Sequence, residues 1–201
     1  MKKPNNYDAT KTGGDYIPVD LGGHYMVLKA VEETQSKTGK DMLKIMFDFD
    51  IKDQQAGYFM DAFKADKREK KTWSNQATKY LLVNDKDGNT GKNFKSFITS
   101  VEKSNNITIK WGDEVSDWAG QFKDKKIGGI FGTELDFYNG EVKKKRVLRW
   151  FCSTDKVDGA DIPDISETKA YKDAMRSTTS SDSNNDFMSV PDIDESELPW
   201  N

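Results

Sequence analysis

Residues 41–51 read DMLKIMFDFDI, and this stretch decides the fold class. Leu43, Ile45, Phe47, Phe49 and Ile51 alternate with Met42, Lys44, Met46, Asp48 and Asp50. A period of two is what a strand imposes, because successive side chains leave it on opposite faces. The run therefore reads as a half-buried strand, with Asp48 and Asp50 expected on its solvent face. Upstream, HYMVLKAVEE (24–33) also carries strand signals, and SKTGK (36–40) places Gly39 where a hairpin needs positive φ. The two runs are expected to pair antiparallel. Downstream, GYFMDAFK (57–64) reads as a third strand.

The period then changes. Trp73, Ala77, Tyr80 and Leu81 fall on one helical face, as do Phe94, Phe97, Ile98 and Val101. DKDGNTG (85–91) is the turn-rich break between them. Strand signals return in KIGGIFGTELDFY (126–138) and KKKRVLRWFCS (143–153), and Asn139-Gly140 between them is the strongest hairpin signal in the chain. The expected fold is mainly β: a five-stranded barrel of the oligonucleotide/oligosaccharide-binding (OB) type, with a helical insertion between strands three and four. A sandwich with helical insertions satisfies the same periodicities. The expected organisation is a loose arm over 1–15, the barrel over 16–156, a linker with a short helix over 157–176 and a disordered acidic tail over 177–201. That tail is too poor in apolar residues to offset its ordering entropy.

The net charge of −3 conceals an asymmetry. Residues 177–201 hold six acids and no Lys or Arg, which leaves 31 bases against 28 acids in 1–176. Up to Trp150 the balance is 27 against 22. A mildly basic body thus carries a strongly acidic tail.

Several chemistries lack their residues. Cys152 and His24 are the only cysteine and histidine, so a disulfide, a thiol-rich metal site and a triad built around a motif are not expected. Asp48 with Asp50, and Asp113 with Glu114, are the paired acids that could hold Mg²⁺ for a nuclease, but no base accompanies either. Lys126-Ile127-Gly128-Gly129 matches no phosphate-binding fingerprint. No cofactor, metal or enzymatic activity is expected. No apolar run approaches the ~20 residues of a membrane span, and MKKPNN lacks the apolar stretch of a signal peptide, so the expected location is cytoplasmic.

Binding chemistry is better represented. Lys64, Lys67, Arg68, Lys70 and Lys71 lead into Trp73 and Tyr80, with Phe59 just upstream. Lys143, Lys144, Lys145 and Arg146 lead into Arg149 and Trp150, directly after Tyr138, and Lys44 adds a cation on the second strand. Cations that follow phosphates and flat rings that stack on any base are what non-specific single-strand binding requires. In the 143–153 strand, one of Trp150 and Phe151 must face inward. The tail finishes differently: Asp192, Asp194, Glu195 and Glu197 precede Leu198-Pro199-Trp200. An exposed Trp after an acidic run suits docking into a basic pocket on a partner.

That ending, DIDESELPWN, is similar to the tip of bacterial single-stranded-DNA-binding proteins and several phage counterparts, in which acids precede a Pro-Phe-like end. It differs in having Glu-Leu before the proline and Asn201 after the aromatic. SKTGKDML (36–43) and WAGQFKDKKIGGIFGTELDFYNGEVKKKRVLRWFCSTDKV (118–157) resemble a family of phage proteins found among replication and recombination functions, over roughly residues 15–160. The resemblance implies a phage single-stranded-DNA-binding protein without sequence preference. Its acidic tail would recruit replication or recombination proteins, and homo-oligomers are compatible with it. The alternative is an adaptor whose OB-like domain binds protein and has little DNA affinity.

Overall fold

The computed structural model describes residues 17–112 and 116–181. Strands β1 (Gly22–Gln35) and β2 (Asp41–Phe49) form the expected antiparallel hairpin, with Gly39 at φ 76° in its turn. Helix α1 (Tyr58–Ala65) follows, then β3 (Thr78–Leu82) and helix α2 (Lys92–Asn105). A second hairpin joins β4 (Lys126–Tyr138) to β5 (Glu141–Cys152). Asn139 and Gly140 turn it with φ of 52° and 81°, the two positive values a tight hairpin turn of matching twist needs. A two-residue strand β6 (Ser166–Glu167) and helix α3 (Lys169–Ser181) end the described chain.

The strands form one sheet in the order β3-β2-β1-β4-β5, antiparallel throughout, with β6 added parallel to β4. The protein is mainly β, with α2 between β3 and β4 as expected. The hydrogen-bonded path begins at β3 and ends at β5; main-chain bonds do not close it.

The core follows the alternation in β2. Leu43, Ile45, Phe47 and Phe49 are buried together with Met26, Leu28 and Val31 of β1. Phe47 meets Phe59, Phe131 and Phe151 edge-on at 6.0–6.2 Å between centroids, the arrangement that ring quadrupoles favour. Helix α2 covers one side with Phe94, Phe97, Ile98 and Val101, as its spacing predicts. Gly91 is needed where the chain enters this helix: a Cβ there would lie 2.9 Å from the Leu82 carbonyl oxygen and 3.1 Å from that of Val83.

Two elements differ from the sequence reading. The 57–64 segment is helix α1, not a strand. Phe59 and Phe63 lie four apart and turn to one side, Phe59 onto Phe49 (5.1 Å) and Phe63 onto Trp73 (5.6 Å). The first helical N–H groups find their acceptor in the distant Asp48 carboxylate, a tertiary contact with no local signal. Conversely, 73–81 is not helical. A short 3₁₀ turn over Asn75–Ala77 leads into β3, which pairs with Met42–Met46. Ala77 and Leu81 lie four apart, but they also lie on one face of a strand, and pairing with β2 decides between the two.

The ends of β2 hold further corrections. Ile51 is 89% exposed because the strand stops at Phe49. Asp48 and Asp50 are buried, not on a solvent face. Asp48 accepts hydrogen bonds from the backbone N–H of Phe49 (2.9 Å), Phe59 (3.0 Å) and Met60 (3.3 Å), so its oxygens are committed to α1. Among the described residues no cluster of acids, His and Cys is arranged to hold a metal ion, and Asp113 and Glu114 lie outside them. No helix among the described residues is long and apolar enough to cross a membrane.

Candidate nucleic-acid interface

The open edge between β3 and β5 is where side chains with binding chemistry converge. The two strands run parallel, and side chains span the gap that main-chain bonds leave. Gln76 donates through Nε2 to the Arg146 carbonyl (2.7 Å), and Lys79 donates through Nζ to the Leu148 carbonyl (2.9 Å). Burial in this seam pulls the Lys79 ammonium below its ordinary pKa; nearby Glu134 opposes that shift and Arg149 adds to it.

Beside the seam lies a groove of about 670 Å³, walled by Lys79, Tyr80 and Leu82 of β3, by Lys92 and Asn93 at the start of α2, and by Arg149 and Trp150 of β5. A bulge in β5 shapes its far wall. Leu148 opposes Phe131 and Trp150 opposes Ile130, so Arg149 is the extra residue. The bulge lets Leu148 and Phe151 both enter the core while Trp150 stays 46% exposed. Of the two aromatics, Phe151 is therefore the inward one. Arg149 donates to the Asp164 carbonyl (3.1 Å), which holds its side chain along the rim.

Tyr80, 55% exposed, stands at the junction of this groove with the outer face of the sheet. There it is the direct cross-strand neighbour of Lys44, whose ammonium pairs with Glu32 at 2.9 Å. Met42 and Met46 flank Lys44 on β2, and Thr78 and Leu82 flank Tyr80 on β3, so around the Lys44–Glu32 pair this face is largely apolar.

The structure brings together Lys44, Tyr80, Arg149 and Trp150 from the residues expected to bind. It does not bring the rest to the same place. Phe59 is 2% exposed and belongs to the core, so it cannot stack on a base. Trp73 is half-buried against the core and donates through Nε1 to the Ala77 carbonyl (3.2 Å). Lys64, Lys67, Arg68, Lys70 and Lys71 form a separate exposed patch on α1 and the segment after it. Within it Arg68 grips Asp66 at 2.7 Å, and that hydrogen-bonded pair pulls the Asp66 carboxyl down to about 2. Lys71 donates to the Lys64 carbonyl and lies 5.8 Å from the centre of the Phe63 ring.

Tyr138 and Lys143–Lys145 sit on the outer arm of the β4–β5 hairpin, where Lys143 pairs with Glu141 and Lys145 with Asp136. Arg146 donates to the Val19 carbonyl and lies near Asp20. Asp192, Asp194, Glu195, Glu197, Leu198, Pro199 and Trp200 lie outside the described residues. Lys79 and Lys92 were not legible as binding residues. Lys79 occupies an inward position of β3, and only the open seam gives its ammonium somewhere to go.

His24 belongs to a buried cluster elsewhere. Its ring stacks on Phe49 at 4.3 Å; Nδ1 lies 3.1 Å from an Asp53 oxygen and Nε2 lies 3.1 Å from the Asp20 carbonyl. Burial pushes the Asp53 carboxyl up, but hydrogen bonds from His24, Gln55 and Tyr25 outweigh it and leave the group below its ordinary pKa. A carboxylate depressed in the folded state contributes stability that is complete above the unfolded-state pKa and lost as pH falls through the folded one. Asp53→Asn should therefore flatten the acid side of the stability curve below about pH 4. Urea midpoints measured at falling pH check this; a variant curve parallel to wild type would remove the attribution to Asp53.

No family model matches this chain, and a search of curated proteins finds no significant relative.

Proposed function

We propose that this protein binds single-stranded nucleic acid without sequence preference, in the phage replication and recombination setting that its sequence resemblance implies. The observation that carries the reading is the shared groove of Tyr80 and Trp150, two half-exposed rings on separate strands, with Lys79, Lys92 and Arg149 between and beside them. Bases stack on the rings and cations follow the phosphates. The sheet is read as an OB-type barrel left open between β3 and β5. Such barrels are partly open and bind ligands on the face of strands two and three, where Lys44 and Tyr80 stand. The acidic tail is proposed to recruit partner proteins through Leu198-Pro199-Trp200 and to compete with nucleic acid for the basic groove.

The adaptor reading has one observation in its favour. Cations on the hairpin arm and after α1 are matched by acids, as in Lys143–Glu141, Lys145–Asp136 and Arg68–Asp66. A fluorescence-anisotropy titration of labelled oligo-dT, at low and physiological salt, separates the two. Full-length protein is compared with a 1–181 truncation, which keeps α3 whole. Salt-sensitive binding is expected, tighter in the truncation, and most so at low salt where charges are least screened. No binding by either form would favour the adaptor. Equal affinity of the two forms at low salt would remove the competing role of the tail and leave recruitment.

A further inference from the structure

A second groove, of about 360 Å³, runs along α2 and opens into the first; Ser96, Trp150 and Phe151 line both. Its cations are Lys95 and Lys103 on α2 and Lys156 in the turn after β5. None of the three makes an ion pair among the described residues, unlike Lys143 and Lys145 on the arm. The acid beside them is Asp155. A hydrogen bond from Ser153 holds its carboxyl below the ordinary range, and Lys156 and Lys103 act in the same direction, which places these charges close together. Thr99 lies on the same helical face between Lys95 and Lys103 and offers a hydroxyl to the groove. From Lys92 to Lys103 the helix rises about 16 Å, so the cations are spread along a path and not gathered at a point.

Trp150 stands where the two grooves meet. Beyond it the second groove presents ammonium and hydroxyl groups but no further exposed ring, since Phe151 is buried. Such a surface attracts a phosphate backbone and offers bases nothing to stack on. We infer that a bound strand passes Trp150 and continues along α2, where Lys95, Lys103 and Lys156 hold its backbone as a second, base-independent track. This rests on the nucleic-acid reading of the first groove and adds the path by which the strand leaves it. The track lengthens the occluded site and supplies salt-dependent affinity only to strands long enough to reach it.

The test compares wild type with Lys95→Ser/Lys103→Ser/Lys156→Ser on oligo-dT of about 5 and about 15 nucleotides, lengths near the two ends of the roughly 4–16 nucleotides a single OB domain covers. The short oligonucleotide should bind both proteins alike. On the long one, the slope of log affinity against log salt should fall in magnitude by about 2, at roughly 0.7 for each single-strand phosphate no longer neutralised. All three lysines are exposed, so thermal melting should fall by no more than a few degrees, from the poorer helix propensity of Ser in α2, and serves as the folding control. A wild-type slope on the long oligonucleotide would overturn the track. Equal losses at both lengths would also overturn it, because the lysines would then belong to the first groove. Failure of wild type to bind either length would instead sink the nucleic-acid reading, and the track with it.

Discussion

The Tyr80→Ala/Trp150→Ala protein is expected to bind oligo-dT at least about 30-fold more weakly than wild type. Each stacked ring contributes roughly 1–3 kcal/mol per base, and about 1.4 kcal/mol corresponds to a factor of ten. Taking the smallest contribution for each of the two rings sets the lower bound near 2 kcal/mol. Both side chains are about half exposed, at 55% and 46%, so truncating them removes little core packing, and the fold should survive. Trp111→Ala is the matched control. That indole is 51% exposed but packs beside Trp118 and Phe94, outside the groove, and its loss should change affinity less than about twofold. Anisotropy titrations of all three proteins decide the matter. Wild-type affinity in the double variant would remove the stacking mechanism, and equal losses in Trp111→Ala would show that the rings act through the fold.

The groove exists because of how the sheet ends. A sheet closed by main-chain bonds would have no room for Lys79 to reach out from an inward position, nor for Gln76 to cap a carbonyl of β5. Leaving β3 and β5 unpaired exposes donors and acceptors along both edges, and proteins ordinarily cover such edges with charge. Here the charge is mainly cationic, carried by Lys79, Lys92 and Arg149 against the single acid Asp85, whose carboxylate accepts from the Asp87 and Asn89 N–H groups, and two aromatic rings stand beside it. The residues that protect this edge are the ones the proposed nucleic-acid binding would use. The adaptor reading does not explain why the unpaired cations gather at the seam while those of the hairpin arm are matched by Glu141 and Asp136.

How much of this was legible depended on whether the relevant contact was local. The β1–β2 and β4–β5 hairpins were readable because strand alternation and the positive-φ residues Gly39, Asn139 and Gly140 are written within a few positions of each other. Helix α2 was readable from its own period. The 57–64 and 73–81 segments were not, because each is decided by a distant partner: Asp48 for α1 and the β2 edge for β3. The site divided in the same way. Trp150 and Arg149 follow from an amphipathic basic strand, but the bulge that turns Trp150 outward comes from its pairing with β4. Lys79 and the lysines of α2 read as ordinary solvated positions until the fold sets them beside β5. Phe59 illustrates the opposite error, since an aromatic next to a basic run signals a ligand surface and a core position equally well.

Asp48 has a structural role where a chemical one was conceivable, and its loss should have a large effect on stability. Asp48→Ala is expected to destabilise the protein by at least about 3 kcal/mol. The side chain is 2% exposed and takes three backbone N–H groups, two of them from the first turn of α1. Each hydrogen bond to a charged group is worth about 1.5–3 kcal/mol, and a buried donor left without an acceptor costs about 1–3 kcal/mol, so solvent entering the vacated space offsets only part of the loss. Asp48→Asn keeps one acceptor oxygen and should lose less, which separates the hydrogen-bonding role from the volume. For a domain of this size about 3 kcal/mol lowers the melting temperature by roughly 6–12 °C, readable by circular dichroism. The same variants bear on the nuclease reading of the paired acids. With the Asp48 oxygens committed to α1, Asp48→Asn should alter stability while leaving affinity for oligo-dT unchanged below the melt, with or without Mg²⁺. A Mg²⁺-dependent cleavage activity in wild type that disappears in Asp48→Asn, at unchanged stability, would reverse that assignment and return the carboxylate to chemistry.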